Sequence, residues 1–383
     1  MNILIVSHGI PSKEDPQWGC FELDQARALR SLGHIVSIVA VDGRLRRGWG
    51  KFGFLHSDFD GIDACRFFLF PLRLIPNAKM RVWIRDRMML RLFRHMVSKH
   101  GYPDVIYAHY FFAISQLYTV KRVYPQIPII GVEHAGRIIQ NEVFSKGDLI
   151  HFDRAYLLAD KLLSVSPALQ DALYKKFGVK SDVLFDMVGQ EFLDAELVQK
   201  VHRPFKFVTT GSLVKDKAID MIVKALAKVE DQTSELYIIG DGPEREGLTY
   251  LVSSLGLSER VRLMGMCDKQ QIIEIYKECD VFVLASRLET FCVVNIEAMA
   301  MGLPVISTRC GGPEYYITEK NGILLDVDDF DGLVSAMNTI GHTIFNPKSQ
   351  REFVRSHFSG KVIACQLEKI MEVVVNQKNQ QID

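Results

Sequence analysis

The stretch SRLETFCVVNIEAMAMGLPV, residues 286–305, decides the fold of the C-terminal half of this chain. It follows an apolar, β-branched run at residues 280–285, which predicts a buried strand, and residues 293–301 have the apolar spacing of a helix. A strand that leads through a short loop into a helix is the repeating unit of doubly wound α/β domains. The first turn of such a helix has unpaired backbone N–H groups, which predicts an anion site suited to a diphosphate.

The same alternation extends outward to both ends of the chain. Apolar runs of four to eight residues between helical patterns are typical of parallel strands buried on both faces. Further strands are predicted in the C-terminal half at residues 205–210, 235–240, 260–264 and 304–308, and in the N-terminal half at residues 2–7, 34–40, 104–108, 127–133 and 161–165. The predicted helices include residues 20–32, 218–228, 244–255 and 269–277.

The predicted fold class is therefore α/β, with two doubly wound Rossmann-like domains facing a central cleft. A chain of 383 residues is too long for one ordinary core, and a polar stretch at residues 190–203 separates the two series of strands. We expect domains at residues 1–195 and 196–360, with a C-terminal helix at about residues 361–377 that rejoins the first domain. Ligands of such folds bind beyond the carboxyl ends of the strands.

Composition excludes several other classes. The seven cysteines are scattered without a Cys-x-x-Cys pair, which argues against zinc ribbons, thioredoxin-like chemistry and a disulfide framework. The N-terminus lacks the features of a signal peptide, and no run of 18 apolar residues occurs, so we expect a cytoplasmic location, including the cytoplasmic face of a membrane. Residues 1–150 hold 20 Lys and Arg against 13 acids, but no nucleic-acid recognition motif accompanies this excess.

Two glutamates of the opening stretch are candidates for binding sugar hydroxyls. Glu289 lies in the loop before the predicted helix, and Glu297 lies about two turns further along. Carboxylates in these places can accept hydrogen bonds from hydroxyl groups, as an acidic residue does for ribose in dinucleotide-binding folds. The alternatives are a solvated loop residue or helix cap for Glu289 and an exposed helix position for Glu297.

Other predicted strand ends carry weaker signals. In GSLVKDK, residues 211–217, Gly211 permits close backbone approach and Lys217 can reach a phosphate, although a turn glycine and a surface lysine have the same pattern. His109 and His134 each end a strand, and Gly19 follows a long loop after the first strand. Each of these has an ordinary structural alternative.

Taken together and in order, six motifs resemble glycosyltransferase family 4, a retaining family with the GT-B fold. The likeness covers nearly the whole chain. The motifs are WGCFELDQARALRSLGHIV (18–36), GSLVKDK (211–217), IIGDGPE (238–244), DVFVLASR (280–287), ETFCVVNIEAMAMGLPVI (289–306) and CGGPE (310–314).

The resemblance implies a role for each matching residue. Glu297 would bind the nucleotide ribose, Glu289 the donor sugar, and Lys217 the departing diphosphate, while His134 would approach the transferred sugar. His134, Lys217 and Glu289 are therefore the expected catalytic residues, and no obligatory metal or other cofactor is implied. The expected donor-binding set is Gly19, Gly211, Ser212, Lys217, Met266, Glu289, Thr290, Phe291, Cys292, Val293 and Glu297, with the nucleobase near residues 264–267.

The chain departs from the family pattern at four places. Ser212 replaces an arginine, which removes one phosphate-pairing cation unless Lys215 or another side chain substitutes for it. Ala218 stands where glycine is frequent, Trp18 replaces the first glycine of a Gly-Gly pair, and DMVG at residues 186–189 replaces a Pro-Asn-Gly-Val-Asp run. These changes leave the class intact and leave the donor open.

A basic segment at residues 79–99 holds seven Lys and Arg and a single acid, Asp86. A helical projection predicts a core-facing stripe. Its members are Val82, Trp83, Met89, Leu90, Phe93, Met96 and Val97. The opposite face mixes arginines with apolar residues, a pattern that favours contact with anionic lipid or a lipid-linked acceptor. This face contains Arg81, Arg85, Arg87 and Arg91 with Ile84, Met88 and Leu92, and residues 44–51 would extend it. The alternative is a long helix with arginines in solvent.

The expected function is transfer of a sugar from a UDP- or GDP-sugar to a hydroxyl of a glycan or lipid-linked acceptor, in surface polysaccharide biosynthesis. The family likeness implies retention of anomeric configuration. Two alternatives remain: a same-fold epimerase or phosphorylase, and a non-catalytic member that binds a nucleotide sugar, which Ser212 favours.

Overall fold

Two compact α/β units make up the chain. In the computed structural model, which describes residues 1–12, 18–42, 53–69, 72–140, 144–197 and 203–381, one unit comprises Met1–Leu184 and Ile363–Asp383 and the other Phe185–Val362. The division precedes the polar stretch at 190–203, because the segment after Leu184 packs within the second unit. There the Phe185 ring lies 5.5 Å from Phe291, and Val188 pairs with Ser359.

The first unit is built on an eight-stranded sheet. Its strands are β1 (Asn2–Val6), β2 (Ile35–Asp42), β3 (Gly53–Phe59), β4 (Ile62–Phe68), β5 (Val105–His109), β6 (Ile129–Glu133), β7 (Lys161–Ser164) and β8 (Asp182–Val183). They lie in the order β3-β4-β2-β1-β5-β6-β7-β8. The helices are α1 (Cys20–Ser31), α2 (Ala78–His100), α3 (Tyr110–Ser115), α4 (Tyr118–Val123), α5 (Lys146–Leu158) and α6 (Pro167–Phe177).

The second unit has a six-stranded sheet. Its strands are β9 (Lys206–Thr210), β10 (Glu235–Ile239), β11 (Val261–Gly265), β12 (Val281–Leu284), β13 (Val305–Thr308) and β14 (Gly322–Leu325), in the order β11-β10-β9-β12-β13-β14. Its helices are α7 (Gln190–Asp194), α8 (Ile219–Leu226), α9 (Arg245–Ser254), α10 (Lys269–Lys277), α11 (Val293–Ala300), α12 (Phe330–Thr339) and α13 (Pro347–Phe358). A last helix, α14 (Gly360–Gln380), runs mostly within the first unit.

The two sheets confirm the α/β fold class with two Rossmann-like domains. The central strands are buried along their length, as parallel strands covered by helices on both faces must be. All paired strands of the second unit are parallel. β9 pairs with both β10 and β12, although β10 (residues 235–239) separates β9 from β12 in the sequence. The carboxyl ends of β9, β12 and β13 therefore meet at one edge of this sheet.

The edge hairpin β3–β4 differs from the parallel strands predicted from the sequence. Its strands pair antiparallel from Gly53↔Phe68 to Phe59↔Ile62, joined by Asp60 and Gly61 with φ of 57° and 83°. Two left-handed residues form the tight turn that suits a two-residue hairpin. The alternation missed these strands because β3 is largely exposed and carries polar residues.

Candidate active site

A lysine–glutamate pair lies at the carboxyl edge of the second sheet. Lys217 Nζ lies 2.5 Å from Glu289 Oε1, and the same oxygen accepts a hydrogen bond of 2.8 Å from Ser286 Oγ. Lys217 follows β9 and Glu289 follows β12, so the neighbouring positions of these strands bring the two loops together. Burial opposes the charge of Lys217, but the Glu289 carboxylate raises the lysine pKa above its ordinary value. The lysine is therefore a fixed cation at this edge.

The backbone around this pair adopts conformations that few side chains permit. Ala218, between Lys217 and α8, has φ of 46°, which explains why glycine is common at this position in the family pattern. Cys292, immediately before α11, has φ of 75°. Gly240, after β10, lies so close to Gly211 that a Cβ would collide with the Gly211 carbonyl. The loops are thus packed backbone against backbone.

The loop ahead of α11 is fixed by a side chain that the sequence analysis missed. Tyr316 donates toward the carbonyls of Phe291 at 2.9 Å and Cys292 at 3.0 Å, and Asn295 Nδ2 donates to the Tyr316 hydroxyl at 3.3 Å. Tyr316 is buried and lies about 25 residues beyond the loop in sequence. The sequence carries no signal of this role, because an isolated tyrosine has no distinctive spacing.

Glu297 is a buried carboxylate, only 9% exposed, on α11. It lies close enough to Tyr276 that its charge adds to the effect of burial in raising the pKa of that tyrosine. The alternative of an exposed helix residue is therefore excluded. A buried carboxylate carries a desolvation cost, which hydrogen bonds or an opposite charge must offset. This suits Glu297 to accepting hydrogen bonds.

The remaining residues of the predicted donor set lie along the same edge with different exposure. Ser212 and Met266 are exposed, Met266 by 56%, while Thr290 and Val293 are half-buried and Phe291 and Cys292 are buried. Arg287, also outside the prediction, ties the β9 and β12 loops together. Its guanidinium donates to the Lys215 carbonyl at 2.7 Å and to Asp328 at 2.8 Å.

The first unit gathers histidines around a buried glutamate at its own carboxyl edge. Glu22 of α1 is 2% exposed and is hydrogen-bonded to His8, which follows β1. His109 Nδ1 lies 3.1 Å from His134 Nε2, with the rings stacked. Burial would raise the pKa of Glu22, but the His8 hydrogen bond and the neighbouring histidines hold it at about 2. Burial lowers the pKa of His109 to about 3, so this ring is neutral near pH 7.

Glu133 holds the two loops that carry His109 and His134 through hydrogen bonds to their backbone. It is fully buried at the end of β6 and accepts hydrogen bonds of 3.0 Å from the backbone N–H groups of Phe111, His134 and Ala135. Burial raises its pKa above the ordinary value. The sequence analysis named His134 but missed Glu133, Glu22 and His8.

Gly19 lies in the first unit as the residue before α1, with φ of 85°. A Cβ at this position would collide with the Gly9 carbonyl, so the glycine is required by contact between the two ends of the loop that joins β1 to α1. Part of the preceding loop, residues 13–17, lies outside the described residues.

The basic segment forms α2, but its buried face differs from the prediction at two positions. Trp83 is 57% exposed, whereas Leu92 is completely buried. The buried residues, apart from Asp86, lie in the second half of α2, so the periodicity could not show where the helix leaves the core. Asp86 is neutralised by Arg154, whose Nη2 lies 2.9 Å away.

The four arginines of α2 that the sequence analysis assigned to this surface differ in their surroundings. Arg81 donates to the carbonyls of Ile75 and Pro76, and Arg85 is half-buried over the Phe112 ring. Arg87 and Arg91 are exposed, with Arg87 5.2 Å from the Trp83 ring. Residues 44–51, which the prediction added to this surface, lie outside the described residues. Among the described residues, we find no helix with the length and apolar character needed to span a bilayer.

Comparison with known families agrees with the motifs. Residues 194–355 match the family described as Glycosyl transferases group 1, and residues 23–184 match Glycosyltransferase Family 4. The chain belongs to glycosyltransferase family 4. This family 4 protein is thus a glycosyltransferase, and its two matches correspond to its two sheets.

Similar proteins include enzymes of bacterial surface glycans. The chain is 26% identical over 361 residues to the putative teichuronic acid biosynthesis glycosyltransferase TuaC of Bacillus subtilis, covering 89% of this chain and 90% of that protein. Among solved structures, the lipopolysaccharide outer core galactosyltransferase WaaB matches with a TM-score of 0.72 at 18% identity, covering 96% of this chain and 98% of WaaB. Anabaena HepE in complex with UDP-glucose matches with a TM-score of 0.72 at 19% identity, covering 97% and 100%. At these identities the structures support the GT-B fold.

Proposed function

We propose that this glycosyltransferase moves a sugar from a UDP- or GDP-sugar to a hydroxyl of a glycan or lipid-linked acceptor, with retention of anomeric configuration. The observation that carries the proposal is the Lys217–Glu289 pair beside the first turn of α11. A cation and a helix N-terminus at a strand edge suit a diphosphate that gains negative charge as it leaves. The family membership supplies the retaining chemistry.

In the proposed mechanism, Lys217 pairs with the departing diphosphate while Glu289 orients the lysine and accepts a hydrogen bond from the donor sugar. The backbone from Thr290 to Val293 supplies N–H donors to the same oxygens. Because these groups neutralise the charge, the reaction needs no obligatory metal. Retention in this scheme follows front-side departure of the nucleoside diphosphate, which leaves the same face open to the acceptor.

We assign the nucleoside to the neighbouring part of the same edge. Glu297, buried on α11, accepts hydrogen bonds from the ribose hydroxyls, and the exposed side chains of Met264 and Met266 contact the base. UDP is the nucleotide to test first, because Anabaena HepE of similar fold is known in complex with UDP-glucose.

We assign the first unit to the acceptor side and to the transferred sugar. His134, held by Glu133, would meet the sugar, and Gly19 the pyrophosphate. The relatives TuaC and WaaB are named for teichuronic acid and lipopolysaccharide synthesis, which supports a role in surface polysaccharide biosynthesis. Ser212, in the place of a phosphate-pairing arginine, favours one alternative, a member that binds a nucleotide sugar without transferring it.

The decisive experiment is thermal unfolding with UDP, GDP and their sugars, for the wild type and Glu297→Ala. A ligand at a hundred times its Kd adds about 2.7 kcal/mol of stability. We expect stabilisation by one nucleotide series that is lost in Glu297→Ala and kept in Glu246→Ala, which removes an exposed carboxylate from α9. No stabilisation by any nucleotide would remove the proposal, and binding without transfer to any acceptor would favour the non-catalytic alternative.

The membrane part of the proposal rests on exposed Trp83, Met80, Arg87 and Arg91. An aromatic and basic helix face binds anionic bilayers through combined apolar burial and charge attraction. Flotation with anionic and neutral vesicles tests this. We expect recovery with anionic vesicles that falls several-fold in the Arg87→Gln/Arg91→Gln variant, with Arg355→Gln/Lys361→Gln as a charge-matched control. Equal recovery with both vesicle types would rule it out.

A further inference from the structure

Three ligand-type side chains converge at the edge hairpin of the first unit. His56 of β3 and Cys65 of β4 are directly opposite each other in the antiparallel register, so their side chains share one face. His95 of α2 meets them there. The Nε2 atoms of His56 and His95 lie 3.0 Å apart, the Cys65 sulfur lies 3.5 Å from His56 Nε2, and all three donor atoms lie within 4.8 Å of one another.

These separations are close to those of a tetrahedral metal site. With Zn–N of 2.0–2.1 Å and Zn–S of 2.3 Å, tetrahedral geometry places two nitrogens about 3.3 Å apart and nitrogen and sulfur about 3.6 Å apart. We propose that His56, Cys65 and His95 bind a zinc ion, or a similar borderline divalent cation, with a fourth position open to solvent. Imidazole and thiolate together select such cations over magnesium or calcium.

Asp63 supplies the outer support that such a site requires. Its Oδ1 lies 3.2 Å from His56 Nδ1, which places the proton on Nδ1 and directs the Nε2 lone pair at the other two ligands. Asp63 is in turn held by Lys99, and by His100 at 2.8 Å. The Asp63 carboxylate also lies between the Lys99 ammonium and the His56 ring. Its negative charge therefore offsets the repulsion between Lys99 and a cation bound at His56.

Exposure and placement indicate a structural role. His56 is exposed at the surface and gives the ion a path from solvent, while Cys65 is completely buried beneath it. A bound ion would join the hairpin β3–β4 to α2, two elements connected by a segment that includes residues 70–71, which lie outside the described residues. No ligand spacing in the sequence signals this site, because the ligands are 9 and 39 residues from His56.

The test uses untagged, chelator-treated full-length protein titrated with zinc by calorimetry and with cobalt by absorption. We expect one zinc per chain and a near-ultraviolet thiolate-to-cobalt charge-transfer band. Cys65→Ser abolishes the band, and both Cys65→Ser and His95→Gln weaken zinc binding at least tenfold. Asp63→Asn weakens zinc binding about tenfold, the low end of the range for a carboxylate that is hydrogen-bonded to a metal-binding histidine.

Two matched controls leave binding unchanged in this proposal. Cys365→Ser removes a thiol of α14, and His357→Gln removes an exposed histidine of α13 that offers no donor atom to the cluster. Circular dichroism of the metal-free variants shows whether each one folds. If Cys65→Ser does not fold, the zinc affinity of His95→Gln tests the proposal. Less than a tenth of an equivalent bound, or equal zinc affinity in the wild type and His95→Gln, overturns the proposal.

Discussion

The carboxyl edges of the two sheets both bury ionisable side chains, but these side chains keep or lose their charge in different ways. At the second edge, Lys217 keeps its charge because Glu289 lies 2.5 Å away and a quarter of the lysine side chain remains exposed. At the first edge, His109 is fully buried and loses its charge, while Glu22 keeps its own through hydrogen bonding to His8. The first edge therefore offers the neutral His109 ring near a carboxylate, and the second offers a cation.

This difference suggests how work is divided between the units. A neutral imidazole is suited to contact with uncharged hydroxyl groups, because it donates and accepts hydrogen bonds without adding charge. A lysine held by a carboxylate is suited to phosphate. If the units divide the work in this way, substitutions at the two edges have different consequences.

The largest effect is expected at the cation. Lys217→Met should lower kcat for nucleotide release from the donor by about 10²- to 10³-fold, the range for loss of one charge-stabilising donor. Steady-state kinetics with the donor identified by thermal unfolding measures it. Lys224→Met removes an exposed lysine of α8 that pairs with Asp220 at 2.7 Å, and it should leave kcat unchanged. A change in kcat of less than about threefold in Lys217→Met would falsify the assigned role.

The next effect is on the stability of the first unit. Glu133→Ala leaves three backbone N–H groups without their buried acceptor, and each such group costs about 1–3 kcal/mol, so we expect a loss of about 3 kcal/mol or more. The three tryptophans, Trp18, Trp49 and Trp83, all belong to this unit, so urea unfolding followed by tryptophan fluorescence reports on it selectively. Glu372→Ala, exposed on α14, is the control. Equal midpoints would show that Glu133 is dispensable.

A smaller effect is the pH dependence due to His109. Its pKa falls from 6.5 to about 3 on folding, so the unfolded chain binds a proton that the folded chain does not, and stability is lost as pH falls from 6.5 toward 3. Between pH 6.5 and 5 one proton corresponds to about 2 kcal/mol. Between pH 6.5 and 5, the free energy of unfolding measured by tryptophan fluorescence should fall by about 2 kcal/mol less in His109→Gln than in the wild type.

The second unit supplies the internal reference for this measurement. Its described histidines, His342 and His357, are exposed, and hydrogen exchange in its core strands should change little in free energy between the two pH values. Parallel slopes for the wild type and His109→Gln would mean that His109 titrates normally.

The smallest effect concerns the departure at Ser212. Ser212→Arg restores a cation at an exposed position of the second edge, and a charge-assisted hydrogen bond to phosphate should tighten nucleotide binding about tenfold. Calorimetry with the nucleoside diphosphate measures it. Ser253→Arg, exposed on α9, adds the same charge away from this edge. Equal tightening by both variants would point to long-range attraction instead of a specific contact.

Much of the fold followed from the pattern of apolar runs. Ten of the strands and the helices α8, α9, α10 and α11 lie where the alternation predicts them, because buried parallel strands are continuous apolar segments. The failures have physical reasons. β3 is largely exposed and carries polar residues, β8 has two residues, and Trp83 lies on the half of α2 that leaves the core.

The sequence by itself determined the α/β class, the family and the loops that carry Lys217, Glu289 and His134, since these depend on local spacing and on motifs in order. Only the tertiary structure decided which side chains meet. Lys217 and Glu289 are 72 residues apart, and they pair because β9 and β12 are neighbours in the sheet. Burial, which no single position encodes, raises the pKa of Glu133 and lowers that of His109, while the hydrogen bond to His8 keeps the pKa of Glu22 low. The order of strands and the depth of burial arise from packing of the whole chain, so contacts and charges at the site follow from the fold.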